Sequence, residues 1–352
     1  MKYVLITLSA VLILASCKKD PDETAAFDKA SLLENVASAI IVPELNGFND
    51  HLNTLKTTFE NFENDMTQAN LDLVRNNWKE AYSSWQSVKI YDFGPIMNNG
   101  LKAATGIFPS DTTQIQNNIS SGSYTLASAS NTDAIGLSAL DYLLYQSDAL
   151  DKLINTPNYA NYVSDLIDKM VNDVSAVKSE WNGYKSTFVA STGTETTSAF
   201  SLLVNEFNKD YEIAKNAKLG IPLGKQSLGI QLPDYIEARY SGYSLDLLRS
   251  SIVSHQGLYN GDRNASSGSG VGFYEYLIHL DRKELADAIN TRFNQIISKI
   301  DSFQNSLEEE MVTNASELDN LYTLLHGQVI NLKTDMTSAF GVLITYQDND
   351  GD

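Results

Sequence analysis

The histidines, the serines and the single cysteine are the side chains that could carry hydrolytic chemistry. Zinc hydrolases often place two histidines on one helix face in a His-Glu-x-x-His pattern. That pattern does not occur in this sequence, and none of the four histidines has a second within helical reach. They are His51, His255, His279 and His326. No serine shows a partner base at a recognisable spacing. The residues alone therefore predict no catalytic centre.

The last five residues could bind a cation. Asp348-Asn349-Asp350-Gly351-Asp352 copies the start of a calcium loop, with oxygen ligands at alternate positions and a glycine for the turn. A complete loop needs a later bidentate acid, and the sequence given stops here. Two interpretations stay open: a weak metal site at Asp348 and Asp350 completed by another segment, or a frayed acidic terminus.

The only cysteine follows a short apolar run near the start of the chain. Lys2, the run Val4–Leu14 and the small residues Ala15-Ser16 precede Cys17. A run of about 11 residues is too short to span a bilayer, which needs about 20. The pattern is typical of a secretory signal, and its ending resembles a bacterial lipobox. We expect residues 1–16 to be a signal peptide, Cys17 to carry lipid, and residues 17–25 to form a tether.

The charge of the chain excludes one class of partner. The sequence has 25 basic and 44 acidic residues, a net charge of −19. Nucleic-acid binding needs a basic footprint, so we expect none. An acidic surface also disfavours adsorption to anionic lipid. The expected contact with a membrane is therefore the lipid on Cys17.

Apolar residues recur at three- and four-residue spacing along most of the chain, which predicts long amphipathic helices. Sustained strand alternation is hard to find. The predicted fold class is all-α, with two antiparallel helical bundles packed together. We expect an N-terminal bundle over 26–192 and a C-terminal bundle over 193–352. The clearest stripes are Leu71, Val74, Trp78, Ala81, Trp85 and Val88, and then Tyr159, Tyr162, Leu166, Met170, Val174, Val177, Trp181, Tyr184 and Phe188.

Two soft regions interrupt the helical spacing. Residues 108–131 are rich in Ser, Thr, Asn and Gly, which predicts a long loop. Residues 218–234 contain three glycines and two prolines, a density that breaks helices and indicates a connection.

Four segments together resemble the imelysin-like family, which is also classed as M75 peptidases. Their order and spacing fit, and they span nearly all of the chain after the signal. They are NWKEAY through to Pro95, AIGLSALDYLLY at 134–145, YSGYSL through to Gly261, and TYQDNDGD at 345–352. The resemblance implies two facing helical bundles with a site at their interface. It also implies a periplasmic or outer-membrane location and an association with iron uptake.

One departure from the family decides what chemistry to expect. The family signature is Gly-x-His-x-x-Glu on a helix, whose His and Glu share one face. Here the glycine is Gly136, Ser138 stands at the His position, and Asp141 stands at the Glu position. A neutral hydroxyl is a poor metal ligand and no base near pH 7. A carboxylate with hydroxyls can still hold an oxygen-preferring cation weakly, or a hydrogen-bonded ligand.

The third segment supplies further candidate ligand-binding residues. If the implied interface holds, Ser241, Ser244 and Asp246 face Gly136, Ser138 and Asp141 across a pocket with aromatic walls. Asp141 is then the expected metal ligand. The alternative is structural: Gly136 allows close helix packing, and Asp141 or Asp246 caps a helix or pairs with Arg239 or Arg249.

The sequence thus predicts a lipid-anchored binding protein of the periplasm or outer membrane, leaning away from catalysis. The expected ligand is a divalent metal, an iron-containing species or a small polar molecule. One alternative is a metallopeptidase with an altered site. Another is an adaptor that docks an outer-membrane transport protein.

Overall fold

The structure, a computed structural model, describes residues 26–263 and 270–346. Within these ranges the chain forms α-helices with short 3₁₀ and π-helical stretches and no strand, which confirms the all-α prediction. The helices are α1 (Lys29–Asn35), α2 (Val42–Asn64), α3 (Gln68–Val88), α4 (Pro95–Asn98), α5 (Leu101–Thr105), α6 (Thr112–Ser121), α7 (Gly136–Tyr145), α8 (Ala149–Asn155), α9 (Pro157–Ala190), α10 (Ala199–Lys215), α11 (Ser244–Tyr259), α12 (Phe273–His279), α13 (Lys283–Ile300), α14 (Leu307–Thr313), α15 (Ala315–Val329) and α16 (Thr337–Phe340).

The first bundle is built on α2, α3 and α9, with α2 packed against both of the others. A short turn joins α2 to α3, and the side chain of Thr67 caps α3 by accepting a hydrogen bond from the Asn70 N–H. The predicted apolar stripes of α3 and α9 face inward, so Trp78, Trp85 and Trp181 are buried. These large aromatic side chains bury much of the apolar area that holds the bundle together.

The second bundle consists mainly of α10, α11, α13 and α15. Phe207 and Phe293 lie in its core. α11 also packs on α3 of the first bundle, so this helix joins the two halves. Its N-terminal end is held there by a hydrogen bond of 3.0 Å between the hydroxyls of Ser83 and Tyr243, the residue just before α11.

The region predicted as a loop over 108–131 was predicted wrongly in part, because it contains α6. The Asp111 side chain accepts a hydrogen bond from the Gln114 N–H and caps the helix, and Gly122 ends it with a positive φ of 63°. Only Ile115 and Ile119 bury apolar side chains, so the helical spacing in the sequence is faint.

No helix in the two described ranges is long and apolar enough to cross a membrane. Three predicted site residues lie outside the described residues: Cys17, Asp348 and Asp350.

Candidate functional site

Gly136 begins α7 in a conformation that needs glycine. Its φ is +80°, and a Cβ at this position would overlap the backbone carbonyl of Thr105, at the end of α5. The predicted packing role of Gly136 is therefore what the geometry shows. It lets α7 start against α5 and so fixes where the next turn lies.

Asp141 lies on the buried face of α7 and forms hydrogen bonds with the segment that precedes α11. Its side chain is 2 % exposed. Its Oδ2 accepts a hydrogen bond of 2.9 Å from the Tyr240 N–H, and its Oδ1 accepts one of 3.0 Å from the Ser241 N–H. A carboxylate that accepts two backbone N–H groups holds their loop in place. Asp141 thus connects the first bundle to the entry of α11.

Burial is the main influence on the titration of Asp141. It raises the pKa of the carboxyl to about 6, although hydrogen bonds from Ser241 and Tyr240 lower it, and the charge of Glu237 adds to the rise. The expected arginine partners are engaged elsewhere. Arg239 pairs with Asp234 and Glu308. Asp141 therefore binds backbone rather than a cationic side chain.

Arg249, the other expected arginine partner, forms a surface pair with Asp301, with 2.5 Å between Nε and Oδ1. It pairs with neither Asp141 nor Asp246.

Ser138 is buried one turn before Asp141, and its hydroxyl lies 2.9 Å from the hydroxyl of Tyr82 on α3. Burial and the charge of Glu237 hold the pKa of Tyr82 well above its usual range, so the phenol stays neutral. The sequence did not single out Tyr82 as a site residue. It lies in the NWKEAY segment, but its meeting with Ser138 depends on how α3 and α7 pack.

Ser138 and Asp141 both line a cavity of about 420 Å³ between α7 and the segment before α11. The opposite walls come from the segment leading into α6 and from the segment around Arg239. The other lining residues are Phe108, Pro109, Ser110, Thr112, Asp234, Tyr235, Ile236, Ala238, Arg239 and Tyr240. The wall thus combines aromatic rings with convergent polar groups, two features that small-molecule sites use.

The remaining candidates divide. Ser241 meets Asp141 through its backbone, and its hydroxyl donates to the Ala238 carbonyl. Ser244 is buried at the start of α11 and does not line the cavity, and Asp246 is exposed. The prediction that both face the pocket was wrong. α11 begins at Ser244, so its inward face carries Leu247 while Asp246 points to solvent beside the positive helix N-terminus.

A second polar cluster lies across the bundle interface. Asp210 on α10 is fully buried, and its carboxylate lies 2.6 Å from Nζ of Lys89, just after α3, and 3.3 Å from Nζ of Lys102 on α5. Burial alone would raise the pKa of Asp210, but the two lysines hold it below its usual range. Asp210 and the two lysines therefore form an ionic contact between the bundles.

His255 on α11 belongs to this cluster and is fully buried. Its Nδ1 lies 2.7 Å from the Ser251 carbonyl, so Nδ1 carries the proton. Its Nε2 lies 3.7 Å from the Asp210 carboxylate and has no hydrogen-bond partner among the described residues. Burial lowers the pKa of His255 to about 4, against the pull of Asp210.

Within 26–263 and 270–346, no three His, Cys, Asp or Glu side chains come together in a way that could hold a metal ion. A cation in the cavity would therefore rest on at most the two lining carboxylates, Asp141 and Asp234, together with neutral oxygens. Asp141 already accepts one backbone N–H on each oxygen, which reduces its capacity to bind a cation.

Known proteins resemble this chain in sequence and in fold. Comparison with curated proteins gives no match. An imelysin-like protein from Psychrobacter arcticum 273-4 superposes with a TM-score of 0.75 at 14% identity, covering 91% of this chain and 97% of its own. A "putative iron-regulated protein A precursor" from Parabacteroides distasonis ATCC 8503 gives 0.74 at 14% identity, covering 92% and 97%. The imelysin (M75 peptidase) family model matches residues 41–328. The chain therefore belongs to the imelysin family.

Proposed function

We propose that this protein is exported, anchored by lipid on Cys17 at the periplasm or outer membrane, and binds a small polar ligand in the interface cavity. The observation that carries the proposal is the cavity itself, with Ser138 and Asp141 in its wall. The name of the Parabacteroides protein, an iron-regulated protein precursor, supports a link to export and to iron.

Binding rather than cleavage follows from the chemistry of the cavity wall. Hydrolysis near pH 7 needs a base or a metal-bound water close to the substrate. The hydroxyl of Ser138 faces Tyr82, whose raised pKa keeps it protonated. Asp141 accepts two backbone hydrogen bonds, which favours a positioning role over proton transfer. These contacts favour a site that recognises a ligand.

A pair of variants on α6 tests the cavity. Thr112 lines it, whereas the neighbouring Thr113 is exposed and does not. Thr112→Trp should fill the cavity, and Thr113→Trp is the matched control. Calorimetry would use Fe²⁺, Fe³⁺, Zn²⁺ and Ca²⁺ alone, and then a library of small polar molecules. We expect at least one probe to bind the unmodified protein and the control but not Thr112→Trp.

The other functions predict different results. Peptide hydrolysis that a chelator and Asp141→Ala both abolish would overturn the proposal in favour of a metallopeptidase. The proposal would be overturned in favour of an adaptor if no probe loses binding in Thr112→Trp and an outer-membrane transport protein co-purifies.

The lipid anchor needs its own test, because it rests on the sequence. Cells grown with labelled palmitate should label the protein, and Cys17→Ser should abolish the label and release the protein from the membrane fraction. An unlabelled protein that still sediments with membranes would contradict the anchor.

A further inference from the structure

The basic groups around the cavity are already paired with carboxylates. Arg239 is the basic lining residue. Its Nε and Nη2 donate to Glu308 at 2.9 and 2.8 Å, and its Nη1 donates to Asp234. The guanidinium therefore forms a bidentate pair with Glu308 and a further hydrogen bond with Asp234. An anion entering the cavity would have to displace one of these carboxylates.

The second cation near the wall is committed as well. Lys218 is 1 % exposed and forms a buried ion pair with Glu237. Its ammonium also lies 5.6 Å from the ring centre of Phe108, which lines the cavity. The pair is neutral as a whole, so it offers no attraction to an anion. The charges at the cavity are thus dominated by acids.

The balance of charge is negative. Two lining residues are acidic, Asp141 and Asp234, and one is basic, Arg239. Glu308 adds a further carboxylate behind Arg239. The Asp234 side chain is 85% exposed, so it acts on anything at the mouth. A ligand that carries positive charge gains from this field, and one that carries negative charge loses.

Aromatic side chains stand beside these acids. Tyr235 and Tyr240 line the cavity and are 46% and 45% exposed. Tyr240 is held by an edge-on contact with Tyr142, with 5.2 Å between ring centres. Aromatic ring faces carry negative potential and attract organic cations. Half-exposed tyrosines next to carboxylates are therefore suited to an ammonium-type ligand.

We infer that the interface cavity binds a small organic cation and discriminates against anions. This inference rests on the proposed function, since it names the ligand class of the same cavity. One unbalanced carboxylate several ångströms away, at the effective dielectric of a half-open site, corresponds to about a tenfold preference for cation over isosteric neutral.

Three matched probes test the ligand class: choline, its uncharged carbon isostere 3,3-dimethylbutan-1-ol, and the anion 3,3-dimethylbutanoate. They share a branched head of similar size and differ in charge. Calorimetry or NMR titration should give affinities in the order choline, alcohol, carboxylate, with about tenfold between the first two. The preference for choline should shrink as salt is raised. Failure of choline to bind, or equal affinity for the carboxylate, would overturn the inference.

Two aspartate variants isolate the charge. Asp234→Asn removes one carboxylate at the mouth and frees one donor of Arg239, which stays tied to Glu308. Choline affinity should fall several-fold and that of 3,3-dimethylbutanoate should rise. Asp301→Asn breaks a comparable surface pair with Arg249, away from the cavity, and should change neither affinity. A general structural effect would weaken all three probes together.

Tyr235→Leu tests the aromatic part, because it removes a half-exposed ring and leaves the charges in place. It should weaken choline more than the alcohol. Equal losses would contradict a role for the ring face.

Failure of the inference can be told apart from failure of the proposed function. Binding of the alcohol or the carboxylate ahead of choline, abolished by Thr112→Trp, would leave a working cavity with another ligand class. If no probe, here or among the metals and polar molecules, responds to Thr112→Trp, both are wrong.

Discussion

Asp141→Asn should change how the stability of the protein depends on pH. The wild-type carboxyl has a pKa of about 6 in the folded protein, against 3.8 as its reference value. The folded state therefore holds this proton more tightly than the unfolded state. Between pH 4 and pH 7, Asp141 ionises more readily in the unfolded protein than in the folded one. The contribution of Asp141 to stability therefore falls as pH rises. Asparagine does not ionise, so the variant lacks this dependence.

The expected size follows from the shift. About two pKa units at 1.36 kcal/mol each gives about 3 kcal/mol in full. Between pH 4 and pH 7 the part realised is about 2 kcal/mol, because some ionisation lies outside that window. Asparagine also presents an amide N–H₂ where a carboxyl oxygen, ionised or protonated, can accept a backbone N–H, which costs about 1–3 kcal/mol at every pH. Asp141→Asn should therefore be less stable than wild type at pH 4. The difference between their free energies of unfolding should shrink towards pH 7.

Urea unfolding of both proteins at several pH values measures this difference. Other titrating groups cancel in the comparison, including His255, whose lowered pKa acts in the opposite direction in both proteins. The control is Asp301→Asn, which makes the same substitution at an exposed position outside the cavity. If the free energies of unfolding of Asp141→Asn and wild type differ by a constant amount from pH 4 to pH 7, burial does not raise the pKa of Asp141, and the reasoning is refuted.

Three further predictions concern the residues around the interface. Gly136→Ala should lower the free energy of unfolding by about 2–3 kcal/mol in urea titrations, because φ is positive and the new Cβ would overlap the Thr105 carbonyl; a neutral result would contradict that overlap. Lys89→Met should cost about 3 kcal/mol or more by the same assay, since it leaves Asp210 buried with the more distant lysine only; a gain in stability would contradict this. The ¹⁵N spectrum of His255 should show a neutral ring protonated at Nδ1 down to about pH 4, so its contribution to stability is present above about pH 6.5 and is lost as pH falls towards 4; an imidazolium at pH 6 would show that the burial argument is wrong.

Much of the fold could be predicted from apolar spacing. α3 and α9 carry long stripes in which every third or fourth residue is apolar, and these stripes are the buried faces of the structure. α6 was missed because it buries only two isoleucines. Two residues in the sequence did indicate α6: Asp111 as its N-cap and Gly122 as the glycine that ends it. These capping signals were more informative than the composition of the segment.

The site could be predicted only where its residues are neighbours in sequence. Gly136, Ser138 and Asp141 share one helix, so their spacing fixes their relation, and the structure places the last two in one cavity. Tyr82 and Glu237 come from elsewhere in the chain, and their proximity depends on packing. Glu237 gave one usable signal, since an acid between Ile236 and Ala238 is typical of a buried, paired group.

The two polar clusters together bear on how a ligand can enter. Asp141 ties α7 to the segment before α11, and Asp210 ties α10 to Lys89 and Lys102 of the first bundle. Separating the bundles would break the two hydrogen bonds of Asp141 and the two ion pairs of Asp210 at the same time. Opening by hinge motion between the bundles is therefore disfavoured, and the ligand should meet a cavity that is already formed. Selection then depends on the fixed shape and charge of its walls.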